Sequence, residues 1–258
     1  MNPGKIRAGV LLLATLGAAG CREAHTADTP ESAAPPAESP SSATTVWQLS
    51  PLALFARGAY DGLLPVSEVK QHGDHGLGAA DQLDGEMALV DGHFYQFLEG
   101  GRAVEAPETM RMPFAAVTAW RGGREVRLPP GTEYGAMQAA VEAMAPTDNA
   151  FYALRLEGTW DVVMARTYKR QTKPYPPLGE AAADTFVIES VPGTMVGFRQ
   201  PSYADSLSIP NYHLHFVTAD HARGGHVLSF TTRDVRMQVA ERPEFTLRMP
   251  PVAPDPAP

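Results

Sequence analysis

The sequence contains a single cysteine, Cys21, among its 258 residues. A disulfide within the chain and a metal cluster built from cysteines are therefore both excluded. No block of lysine and arginine is present, and the formal net charge is −8 with a pI near 5.5. Nucleic acid is consequently not an expected partner. Hydrophobic residues make up 44% of the sequence and charged residues 19%, which suits one large domain or two small ones with a substantial core.

No apolar run near the N-terminus is long enough to cross a membrane as a helix. The run from Ala8 to Ala19 follows Lys5 and Arg7, and small residues then lead directly to Cys21. This order is typical of a secretory signal and resembles a bacterial lipobox, in which the cysteine carries the lipid. We expect residues 1–21 to form a lipoprotein signal peptide that anchors the protein to the bacterial cell envelope. Soluble export after cleavage and an unprocessed N-terminus are the alternatives.

Composition also predicts where the folded part begins and ends. Residues 22–45 are rich in Ala, Pro, Ser, Glu and Thr and contain no aromatic residue. Such a segment buries too little apolar surface to offset its ordering entropy, so we expect a disordered tether. Residues 46–250 form the predicted folded domain. The proline-rich residues 251–258 form a predicted disordered tail.

Local patterns within that domain predict mainly β-structure with short helices. Asp91-Gly92 between two apolar runs is a strong hairpin signal. Residues 134–144 carry an apolar stripe at helical spacing. A second hairpin is expected around Gly158, and the glycine-rich residues 73–78 are interpreted as a loop with close backbone packing. Further strands, mostly antiparallel, are predicted at residues 185–191, 194–199, 211–218, 226–232 and 235–240.

The most informative stretch is a histidine pattern in the C-terminal half. His213 and His215 belong to the run YHLHF, and on a strand they would share one face while Leu214 and Phe216 face a core. His226 follows two glycines, at a spacing that suits the return of an antiparallel neighbour. Three imidazoles that leave open coordination positions are typical of catalytic zinc or a similar divalent metal. A chance surface pair or a hydrogen-bonded core pair of histidines is the alternative.

Two charged residues elsewhere have a weaker signal. Glu86 opens a predicted strand, where a lone glutamate is usually solvated. Arg166 lies between Ala165 and Thr167 on a mainly apolar strand, and arginine is rarely buried without a carboxylate partner. Its planar guanidinium could hold the carboxylate of a substrate through two hydrogen bonds.

Several stretches together resemble the acetolactate decarboxylase family, from about residue 46 to residue 250, in order and with compatible spacing. The combination of YHLHF with a following GGHV is the most specific of them. The matching stretches are GAYDG at 58–62, HGDHGLG at 72–78, LDGE at 83–86, FYA at 151–153, KPYPPL at 173–178, YHLHF at 212–216 and GGHV at 224–227.

The resemblance implies an α+β fold of two β-sheet lobes: a mixed N-terminal sheet with short helices, and a mainly antiparallel C-terminal sheet that carries the metal site. It implies Zn²⁺, or another divalent metal, on His213, His215 and His226. It implies that Glu86 and Arg166 act on the substrate, and that the protein forms a homodimer. The implied reaction is metal-dependent decarboxylation of 2-acetolactate to acetoin and carbon dioxide, with no organic cofactor.

The sequence departs from the family pattern at three places. His75 stands where the family usually has Phe, and Ala79 where it usually has Thr. Family members also carry a glutamate in a C-terminal tail that reaches the metal site, and no residue here matches it. Two alternatives therefore stay open: a lipid-anchored metal-binding protein with lost or altered activity, and a metal-dependent hydrolase or lyase for another hydroxy-keto acid.

Overall fold

The structure is a computed structural model that describes residues 43–208 and 211–251. The described residues form an α+β fold dominated by strands, as predicted. Their fourteen strands, in chain order, are β1 (Thr45–Leu49), β2 (Leu64–Pro65), β3 (His75–Ala79), β4 (Glu86–Val90), β5 (His93–Phe97), β6 (Ala103–Glu105), β7 (Arg111–Met112), β8 (Phe114–Thr118), β9 (Arg124–Leu128), β10 (Phe151–Tyr168), β11 (Ala183–Arg199), β12 (Tyr212–Thr218), β13 (Gly224–Arg242) and β14 (Glu244–Arg248).

Seven strands form the first sheet, in the order β14-β1-β8-β3-β4-β5-β6. The sheet is mixed, because β14 runs parallel to β1 while the other neighbours are antiparallel. Asp91 and Gly92 have positive φ angles of 51° and 82°, as a two-residue hairpin between β4 and β5 requires. The predicted hairpin is therefore confirmed, and it holds Glu86 at the start of β4.

The second sheet is antiparallel and nearly closed on itself. Its order is β10-β11-β12-β13-β9, and β10 also pairs with β13, so four of the strands form a ring. The α-helices are short except one: α1 is Leu52–Phe55, α2 is Val66–Val69 and α3 is Tyr134–Met144, whose predicted bounds match. Met137 and Val141 of α3 pack into the core of the ring together with Leu214 and Phe216.

Three expectations about strand ends were wrong. Gly158 is not a hairpin turn but a residue of the continuous strand β10, and the paired segments predicted near residues 191–194 and 232–235 lie within the single strands β11 and β13. The long strands β11 and β13 both pair with the long strand β10, and this pairing outweighs the local turn signals. The glycine-rich segment is also partly a strand, β3, although its close packing holds: a Cβ on Gly76 would lie 2.1 Å from the carbonyl oxygen of Ala116.

The two sheets pack face to face. Ala88 and Val90 of β4 lie in one buried cluster with Val196 of β11 and Val217 of β12. Side chains alternate along a strand, so Glu86 faces the same way as Ala88, and His213 and His215 face the same way as Val217. The sheets therefore bring these three polar side chains into the interface between them.

Several predictions fall wholly or partly outside the described residues: the signal peptide with Cys21, most of the tether and the tail after residue 251. Within the described part, β1 begins at Thr45, next to the predicted start of the domain. No helix in the described ranges is long and apolar enough to span a membrane.

Candidate metal centre

Two neighbouring strands deliver the three histidines. His213 and His215 lie on β12, and His215 is the register partner of His226 on β13. The alternation of YHLHF works as predicted, because Leu214 and Phe216 are fully buried on the opposite face. Glu86 comes from β4 of the other sheet. Together these four residues place one ligand atom each within 4.8 Å of one another.

The ring nitrogens meet at a single point. Nε2 of His213 lies 3.0 Å from Nε2 of His215 and 3.1 Å from Nδ1 of His226, and the latter two are 3.3 Å apart. In a neutral imidazole each nitrogen is either a donor or an acceptor. Three nitrogens in a triangle must therefore include at least one donor–donor or acceptor–acceptor contact. Hydrogen bonds alone do not satisfy this arrangement, whereas one cation can accept all three lone pairs.

The spacing fits a divalent metal. Nitrogens bonded to zinc at about 2.0–2.1 Å in tetrahedral geometry lie roughly 3.3 Å apart, close to the three observed separations. His215 also has a fixed tautomer, because its Nδ1 donates to the backbone carbonyl of Met87 at 2.7 Å and leaves the Nε2 lone pair toward the centre. Such outer hydrogen bonds orient the histidines of metal sites.

Burial keeps the three rings neutral. Burial lowers the pKa of His215 to about 3, against the opposing effect of the Met87 carbonyl. Burial, followed by the neighbouring histidines and Arg166, holds the pKa values of His213 and His226 well below the ordinary value. Neutral imidazoles are the form that binds metals, so the set is ready at neutral pH.

Glu86 is the carboxylate of the cluster. Its Oε2 lies 3.4 Å from Nε2 of His215, and its Oε1 lies 3.8 Å from Nδ1 of His226. Burial raises the pKa of Glu86 to about 7, and the positive charge of Arg166 opposes that rise. Glu86 is thus a buried carboxyl at the edge of the nitrogen triangle, placed either to complete a coordination shell or to exchange a proton with a bound molecule.

Arg166 lies beside the same centre. Its Cα pairs with that of His226 across β10 and β13, and its guanidinium carbon is 5.1 Å from the ring centroid of Tyr168. The Nε atom is buried and has no hydrogen-bond partner among the described residues. An arginine N–H in this state is free to bind an anionic group that enters the site.

The structure therefore gathers all five residues that the sequence singled out. The other histidines of the described residues lie elsewhere: His72 stacks on Trp47, His75 is buried beside Trp120, His93 pairs with Glu105 and His221 contacts Tyr95. Two contributors were not foreseen from the sequence. The carbonyl of Met87 has no side-chain signal, and the hydroxyl of Thr167, which contacts the backbone of Glu86, is signalled only by its place after Arg166.

Comparison with known proteins places the geometry in context. The family model described as alpha-acetolactate decarboxylase matches residues 46–255. An alpha-acetolactate decarboxylase from Methanosarcina mazei is 40% identical over 185 residues, which cover 71% of this chain and 64% of that protein. One from Methylococcus capsulatus is 38% identical over 207 residues, covering 80% of each chain.

A solved structure is similar to this protein in both fold and sequence. The crystal structure of alpha-acetolactate decarboxylase from Bacillus subtilis strain 168 superposes with a TM-score of 0.78 at 32% identity. The superposition covers 81% of this chain and 90% of that one. The similarity thus extends over both sheets rather than over the histidine strands alone.

Proposed function

Because the chain belongs to the alpha-acetolactate decarboxylase family, we propose that it performs this decarboxylation with a divalent metal held by His213, His215 and His226. The family makes the protein a carboxy-lyase. Acetolactate loses carbon dioxide, the carbon that carried the carboxylate gains a proton, and acetoin results. The observation that carries the metal assignment is the triangle of neutral imidazole nitrogens 3.0–3.3 Å apart.

The chemistry requires a place for an electron pair. When the bond to the carboxylate breaks, its electrons move toward the neighbouring ketone oxygen. A divalent metal on the three histidines would act as a Lewis acid that stabilises negative charge on that oxygen. Zinc is the proposed metal because three imidazole ligands with an open position are typical of catalytic zinc.

Arg166 would bind the departing carboxylate. Its unpartnered buried Nε and its position beside His226 supply a cation on the rim of the nitrogen triangle. A guanidinium can grip a carboxylate through two parallel hydrogen bonds, which also orients the bond that breaks. Glu86, His213 and His215 are buried between the sheets, which would limit the access of water to the reacting carbon.

Glu86 would supply the proton. Among the described residues it is the one carboxylate within the cluster, and its oxygens lie 3.4 and 3.8 Å from the histidine nitrogens. A buried carboxyl whose pKa is raised to about 7 holds its proton near neutral pH and can release it to carbon.

The test uses purified full-length protein freed of metal by a chelator and then reloaded with Zn²⁺. We expect acetoin to form from acetolactate faster than in buffer only after reloading, with one metal per chain, and the H213A variant to lose both the metal and this rate enhancement. Chiral separation of the acetoin distinguishes enzymatic from spontaneous decarboxylation. Loaded protein that binds one metal yet forms acetoin no faster than buffer would refute the proposal.

The sequence supports two further proposals about assembly and location. We propose that Cys21 carries a lipid that anchors the protein in the bacterial cell envelope, and that the protein is a homodimer like the family it belongs to. Labelling with a fatty-acid analogue should mark the wild type but not C21S, which should move to the soluble fraction. Sedimentation of the detergent-solubilised protein measures the oligomeric state, and a monomer there would refute the dimer.

A further inference from the structure

The hydroxyl of Thr167 connects the two sheets at the residue that supplies the carboxylate of the site. Thr167 lies on β10 of the second sheet and is fully buried. Its Oγ1 accepts a hydrogen bond from the backbone N–H of Glu86 at 3.2 Å and donates one to the carbonyl oxygen of Phe97 at 2.5 Å. Glu86 and Phe97 are register partners on β4 and β5. One side chain of the second sheet therefore bridges two paired residues of the first sheet.

The position of this bridge matters because of its neighbour in sequence. Arg166, the preceding residue, pairs with His226 across β10 and β13. Arg166 and Thr167 thus fix two parts of the centre. The backbone of Arg166 pairs with the strand that carries His226, and the side chain of Thr167 holds the backbone of Glu86. The 3.4 and 3.8 Å separations between Glu86 and the histidine nitrogens depend on how the sheets are spaced at this point.

We propose that Thr167 is a positioning residue that sets the placement of the Glu86 carboxylate relative to His215 and His226. This inference rests on the proposed function only for its kinetic consequence. Thr167 does not touch the triangle itself, so it acts through Glu86. Displacement of a catalytic group by about 1 Å can lower the rate roughly 100-fold, whereas uptake of the metal depends on the three histidines.

The experiment compares three variants of Thr167 that differ in whether the side chain keeps its hydroxyl group and its shape. T167S keeps the hydroxyl, T167V keeps the shape without it, and T167A removes both. We expect kcat to fall roughly 10- to 100-fold in T167V and T167A, with KM within about twofold and one metal per chain retained. T167S should recover kcat to within about threefold of the wild type.

Thr232 offers a matched control. It is also fully buried on a strand of the second sheet, and its Oγ1 likewise accepts from a backbone N–H, that of Thr132 at 3.0 Å, and donates to a backbone carbonyl, that of Pro129 at 2.8 Å. T232V therefore removes an equivalent hydroxyl away from the centre. We expect it to lower the thermal midpoint about as much as T167V while leaving kcat unchanged.

A second measurement does not depend on turnover. In protein loaded with Co²⁺, the visible absorption bands report the surroundings of the metal, so T167V should shift them and T232V should not. Wild type that forms no acetoin would refute the proposed function, and the cobalt spectra would still test the role of Thr167. Active wild type with T167A and T167S equally impaired, or T167V with unchanged kcat and spectrum, would overturn the inference.

Discussion

Replacement of His75 by Phe should stabilise the protein, and more so in acid. His75 is fully buried on β3, and neither ring nitrogen has a hydrogen-bond partner of good geometry among the described residues. The ring stacks on Trp120 at a centroid distance of 4.6 Å and meets the ring of Phe198 edge-on at 6.2 Å. Phenylalanine has nearly the same shape and keeps both aromatic contacts. H75F removes only the polar atoms.

The acid dependence follows from the pKa of the imidazole. Burial, reinforced by the positive charges of Arg155 and Arg242, lowers the pKa of His75 from 6.5 to about 3, while the Leu154 backbone and Asp91 oppose the shift. The unfolded chain therefore binds a proton below pH 6.5 that the folded chain does not. Stability is unaffected above that pH and falls by about 1.4 kcal/mol for each unit below it, until the folded pKa is reached.

The difference in the free energy of unfolding between H75F and the wild type has an expected size at two pH values. Between about pH 7.5 and about pH 5, the wild type should lose about 2 kcal/mol relative to H75F through this residue alone. At the higher pH the variant should already gain about 1 kcal/mol or more, because unpaired buried polar atoms are no longer present. For a chain of this size, 2 kcal/mol corresponds to a shift of roughly 4–8 °C in the thermal midpoint.

Urea unfolding of both proteins at the two pH values measures the difference. The metal-site histidines are the same in both, so their contribution to the pH dependence cancels. If the gap between H75F and wild type does not widen toward pH 5, burial of a neutral His75 is not the cause of acid sensitivity and the reasoning fails. If H75F is less stable at both pH values, the ring nitrogens are satisfied in the folded protein.

Three further predictions concern the site and the ring of strands. H215A should retain less than one metal per chain and lose acetoin formation, as metal analysis and kinetics will show; full metal occupancy would contradict the ligand set. R166K keeps the charge but loses the planar fork, so kcat/KM for acetolactate should fall on the order of tenfold or more, and unchanged kinetics would argue against a carboxylate contact. G158A should destabilise the fold by roughly 3 kcal/mol or more, because the new Cβ would lie 2.0 Å from the carbonyl oxygen of Asp234 and Gly158 has a φ of 153°. Urea unfolding of the variant and the wild type measures this difference. A free energy of unfolding equal to that of the wild type within experimental error would show that β10 relaxes at this position.

The sequence predicted correctly those elements whose conformation depends on interactions between neighbouring residues. The Asp91-Gly92 hairpin and the helix from Tyr134 to Met144 were both confirmed, because their signals lie within a few adjacent residues. The prediction failed at Gly158, where a glycine that normally ends a strand instead lets β10 pass close to β13. The parallel pairing of β1 with β14 was not foreseen either, since the two strands are about two hundred residues apart.

The sequence by itself determined the histidine platform of this protein. The alternation of YHLHF puts His213 and His215 on one face of a strand, and the spacing through the two glycines suits the return of His226 on the neighbouring strand, so the pattern predicted a shared face for all three. Only the tertiary structure decided what surrounds it. Glu86 arrives from a different sheet, Thr167 ties that sheet to β10, and the Met87 carbonyl fixes a tautomer. These contacts join residues far apart in the chain, so they exist only once the two sheets have packed.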